Sequence, residues 1–78
     1  MNDNVKIKNI IEIRSQRKID KMNSSISLYD SYWQLDIIEI LQIILELTKE
    51  YSIKTILPAI NSTFSYNSIC DAVYVLKE

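Results

Sequence analysis

The side chains in this sequence with types and spacing suited to chemistry are four carboxylates, four cations and one thiol. Asp36, Glu39, Glu46 and Glu50 recur at intervals that gather carboxylates on one side of a helix, the arrangement a di-metal centre would use. Such a centre also draws on Glu-x-x-His pairs, and the chain contains no histidine, so the carboxylates are expected to form a solvated face. Lacking histidine, the protein has no side chain whose ordinary pKa lies near neutrality to serve as acid or base. Lacking glycine, it has no loop of the kind that lets a backbone close on phosphate. No nucleophile and base stand at a catalytic spacing, so the expectation is a protein without enzymatic activity, cofactor, metal or small-molecule substrate. Cys70, the one cysteine, falls at the edge of an apolar helix face and reads as a small buried hydrophobe.

The cations form a different pattern. Arg14, Arg17, Lys18 and Lys21 follow one another at i, i+3, i+4 and i+7, and residues 1–27 hold six basic and three acidic side chains against three and seven in residues 28–78. The halves therefore carry about +3 and −4. A basic stripe of this kind complements the end of its helix dipole and pairs with acidic neighbours, contacts an acidic protein, or binds nucleic acid. Against the last stand a sequence pI near 5.3 and a final segment whose side chains suited to DNA are only Asn67 and Lys77.

These side chains need elements to hold them, and helices are expected. Ile7, Ile10 and Ile11 share a face at helical spacing, which together with the cations predicts a helix from about Val5 to Met22, although the alternation Val5–Lys8 also suits a short strand. Residues 36–47, DIIEILQIILEL, place eight Ile or Leu among twelve positions. On a helix these span an arc of about 220°, where a surface helix normally shows little over 100°. The helix is expected to begin at Ser27 or Ser31, each of which opens a possible capping box. Pro58 would cost a helix interior about 3 kcal/mol, so residues 52–57 are expected to be a connection or turn, with Pro58 in the first turn of a short helix. A last helix from Ser65 aligns Tyr66, Ile69, Val73 and Leu76, flanked by Cys70 and Ala72. With no glycine for left-handed positions, asparagine is the expected substitute, in NSS at 23–25 and NST at 61–63.

The resulting expectation is one all-α domain over residues 1–78, of three to four helices, around a long and strongly apolar central helix. Its centre should bury Trp33, Ile37, Ile40, Ile44 and Leu47 with Ile69, Val73 and Leu76. Ile38, Leu41 and Leu45, at i, i+3 and i+7 and bordered by Gln34 and Gln42, should remain at the margin as a seam for another helix. A core of 78 residues is marginal, and association is one way to reinforce it. The function read from these features is a protein–protein interaction module, itself a homodimer, that acts by binding a protein partner, of the adaptor, antitoxin or phage-inhibitor kind. The alternative is a small transcriptional regulator that uses the basic stripe on DNA. No signal peptide or membrane span is evident, and a single thiol suits a cytoplasmic protein. Heavy use of Ile, Asn, Lys and Tyr suggests an AT-rich genome, such as that of a low-GC bacterium or its phages.

Overall fold

A computed structural model describes residues 3–77, with no side-chain description for residues 76 and 77. Its elements are α1 (Asp3–Ser15), a 3-10 turn (Ser31–Trp33), α2 (Ile37–Glu50), α3 (Ile53–Ile56), a second 3-10 turn (Leu57–Ala59) and α4 (Tyr66–Lys77). Among the described residues there is no strand. The fold is therefore all-helical with four helices, as expected, but the central helix is not long: α2 has 14 residues.

Both shortened helices stop for identifiable reasons. Continuing α1 to Met22 would carry the face of Ile7 and Ile11 directly onto Arg14, Lys18 and Lys21, and so turn cations toward the core. The chain instead leaves the helix at Gln16, which takes a left-handed conformation with φ 57° while its N–H still donates to the Glu12 carbonyl at 2.8 Å. The Glu12 carboxylate then accepts the Ile19 N–H at 2.7 Å, and Ile19 is buried while Lys18 points to solvent. The four cations thus do not form one helical stripe.

The start of α2 is set by Asp36 rather than by Ser27 or Ser31. Its carboxylate accepts the Glu39 N–H at 2.8 Å and the Glu39 carboxylate accepts the Asp36 N–H at 3.1 Å. A carboxylate is a stronger partner than a hydroxyl for the free amides and positive end of a helix. Ser27 caps only a local turn through the Tyr29 N–H, and Asp30 caps the short 3-10 turn through the Tyr32 N–H. Gln34, left-handed at φ 55°, separates that turn from α2. Among the described residues both left-handed positions belong to glutamine, not to asparagine.

Asparagine works here through its side chain. Buried Asn23 accepts the Asp20 N–H and donates to the Lys18 carbonyl and the Tyr32 hydroxyl, pinning the α1–α2 connection. Asn61 accepts the Thr63 N–H at 2.8 Å in a local turn. Between them, Ser52 caps α3 by accepting the Thr55 N–H, so a helix does begin where a connection was expected. It ends at Ile56, before Pro58 would break it, and Pro58 enters the following 3-10 turn. Ser65 and Ser68 exchange side chain-to-backbone hydrogen bonds at the start of α4, next to the expected beginning of the last helix.

The core is built from all four helices and from the α1–α2 connection. Ile7 and Ile11 of α1, Ile40, Ile43 and Leu47 of α2, Ile56 of α3, and Ile69 and Val73 of α4 meet Ile19, Leu28, Trp33 and Phe64 from the connecting segments. The Trp33 indole N–H reaches the Ile26 carbonyl at 3.1 Å, so its ring is buried without an orphaned donor. Ile37, expected in the core, is exposed, and Ile44 is half-buried. Leu76 lies outside the described side chains.

Candidate interaction surface

The ion pairs of α2 mark which part of its apolar arc is covered. Lys6 reaches Glu50 and Arg14 reaches Glu46, each at 3.4 Å, so α1 lies along the carboxylate side of α2. The buried face is consequently Ile40, Ile43 and Leu47, next to those carboxylates, with Ile44 at its edge. Among the described residues, nothing covers the opposite margin of the arc. Ile37, Ile38, Leu41 and Leu45 are 62%, 62%, 51% and 61% exposed. Successive rotations of about 100° place these four within a sector of about 100°, with Thr48 inside it and Gln42 and Lys49 beside it. The three residues expected at the seam are therefore exposed together. Ile37 is a fourth that sequence reasoning had assigned to the core.

Sequence periodicity identified this margin but not its extension to Ile37.

The expected basic residues are dispersed. Arg14 is engaged with Glu46, and the Arg17 guanidinium lies 5.1 Å from the centre of the Tyr32 ring, a cation–π distance. Lys18 is exposed in the connection, where its carbonyl accepts from Asn23. Lys21 is exposed at the rim of an open depression of about 320 Å³ that it shares with Lys8, Asp20, Ser24, Tyr66 and Asn67. The Asp20 carboxylate, on the same rim, already accepts the Met22 and Asn23 N–H groups.

A second depression of about 340 Å³, more apolar, runs between the Pro58 turn and α4, where Pro58, Ala59, Ala72 and Val75 meet Ser68 and Asp71. Cys70 is half-buried on α4; burial pushes its thiol above the ordinary range, although the nearby Tyr66 hydroxyl offsets part of the effect. A thiol so placed carries little thiolate at neutral pH. Among the described residues no group of three or more Cys, Asp or Glu side chains is placed to hold a metal ion, and no helix is long and apolar enough to cross a membrane. The chain matches no protein-family model, no curated protein and no solved structure.

Proposed function

We propose that this chain is a non-enzymatic protein–protein interaction module that binds through the exposed stripe of α2. The observation that carries this reading is that Ile37, Ile38, Leu41 and Leu45 lie open together while the core closes without them. Covering the remainder of each side chain would contribute about 1 kcal/mol, a gain to which the partner's own apolar side chains must add before the cost of association is exceeded. An adaptor, an antitoxin or a phage-type inhibitor would each act in this way, by occupying a protein surface rather than by converting a substrate. A reducing, cytoplasmic setting suits its free thiol. The transcriptional-regulator alternative draws less support, because Arg14 and Arg17 are committed to Glu46 and Tyr32 rather than held toward a phosphate backbone.

The test replaces Leu41 and Leu45 together by Ser. As exposed helix positions they should leave helix content unchanged by circular dichroism and shift stability by no more than about 0.5 kcal/mol per site. Binding of any protein, a second copy included, should weaken tenfold or more. A stoichiometric partner whose binding survives both changes would remove the stripe from the function. So would tight, sequence-selective DNA binding at about 150 mM salt, which would favour the regulator.

A further inference from the structure

We infer that the occupant of the α2 stripe is a second copy of this chain, packed antiparallel about a two-fold axis at the level of Ile43; the inference rests on reading the stripe as a protein-binding face. The seam positions on that side of α2 are Ile38, Leu41, Leu45 and Thr48, whose spacings of 3, 4 and 3 read the same in both directions. An antiparallel copy therefore meets the pattern it presents. Leu41 lies against Leu45 of the other copy, twice, and Ile38 against Thr48, twice. The midpoint of this register falls at residue 43, almost the midpoint of Ile37–Glu50, so the same register also overlaps the two helices along nearly their whole length.

Thr48 would weaken an apolar seam if its hydroxyl needed a partner there. It does not, because Thr48 Oγ1 donates to the Leu45 carbonyl of its own helix at 2.9 Å and leaves its methyl group for the seam. Gln42 borders the axis, and an amide that both donates and accepts can pair with its own copy. The other border holds half-buried Ile44, so that edge of the seam adds no charge.

Charge also permits a like partner. The acidic side chains Glu46 and Glu50 are drawn to the other side of α2 by Arg14 and Lys6. Lys49 is the cation of α2 and borders the stripe, and in this register the two Lys49 backbones stand about 18 Å apart along the helices, twice the screening length of about 8 Å at physiological salt. A partner of opposite charge would find little on this border to recognise.

The stripe offers on the order of 100 Å² from each of its four large side chains, and its borders bring two copies to about 1,000 Å² in total, the lower bound for a specific interface. The dimer should accordingly be weak, half-formed at roughly tens to hundreds of micromolar.

Sedimentation equilibrium of the full chain from about 10 µM to about 1 mM should show a reversible monomer–dimer transition in that range. Register is then read by oxidation in a Cys70→Ser background, with circular dichroism confirming the fold. A mixture of Leu41→Cys and Leu45→Cys chains should give a mixed disulfide in large excess over either chain crosslinked to itself, and Ile38→Cys alone should give almost none. Self-crosslinking of Leu41→Cys and of Leu45→Cys at the expense of the mixed species would mean a parallel pair and overturn the proposal. A chain that stays monomeric at about 1 mM overturns it as well. Loss of a different protein partner on the Leu41→Ser, Leu45→Ser change would then show that the stripe still binds, whereas persistence of that partner would show the broader reading to be wrong too.

Discussion

Tyr51 and Tyr66 tie the N-terminal end of α1 to the rest of the molecule. The Tyr51 hydroxyl donates to the Asp3 carboxylate at 3.2 Å and the Tyr66 hydroxyl to the Asn4 carbonyl at 3.4 Å. Burial, and then the Asp3 and Glu50 carboxylates, hold the Tyr51 pKa up at about 12; burial, and then its contact with Cys70, hold Tyr66 at about 12. In the unfolded chain both ionise near pH 10. Between pH 10 and 12 the folded state keeps two protons that the unfolded state releases. Their contribution to stability is therefore complete below pH 10 and is lost as pH rises toward 12. Urea midpoints measured across that window should fall, and Tyr51→Phe should make the fall shallower. An unchanged slope in that variant would remove Tyr51 from the account.

At the level of elements, the ends of the helices carry the tension of a sequence without glycine. Gln16 and Gln34 both hold left-handed backbones, which cost a residue with a Cβ about 1 kcal/mol or more. Gln16→Gly and Gln34→Gly should each raise stability by roughly 0.5–1 kcal/mol after the greater flexibility of glycine in the unfolded chain is deducted. Chemical denaturation reads this directly, and a loss of stability at Gln16 would mean that its side chain does more than its backbone. These ends also mark where the sequence was and was not legible. The α4 start at Ser65, the Ile7–Ile11 face and the all-helical class follow from periodicity and capping, which are local. The stop at Gln16 was hidden because the helical spacing of Arg14, Lys18 and Lys21 is sound by itself; it fails because it would continue the buried face of Ile7 and Ile11, and that burial is a tertiary matter. Asp36 and Glu39 were visible as residues but competed with two serine boxes, and the choice depended on carboxylate strength. The open stripe at Ile38, Leu41 and Leu45 was legible as one margin of an arc. Ile37 was not, because its exposure depends on where α1 docks.

On the scale of the whole molecule, residues 16–36 are a connection only in name. They lack a long helix, yet they supply Ile19, Leu28 and Trp33 to the core and bind the far end of the chain: the Leu28 N–H donates to the Phe64 carbonyl at 2.6 Å and the Asn67 N–H to the Ser24 carbonyl at 3.1 Å. Neither hydrogen bond can persist in a form that has lost α4 or released the connection. The fold is thus closed by a clasp between the α1–α2 connection and the segment that leads into α4, and partial opening from either end undoes the same two bonds. Local fraying should consequently be shallow in energy only at helix tips, while the clasp opens with the entire domain. In native-state hydrogen exchange, the amides of Leu28 and Asn67 should exchange together with that of buried Ile43, at the free energy of global unfolding and with the same dependence on denaturant. Faster, denaturant-independent exchange at Leu28 would mean that the connection detaches on its own. Cooperativity in this protein then comes less from its helices than from the irregular segment that fastens them, and a circular permutant cut within residues 24–28 should lose far more than one opened in the α2–α3 turn.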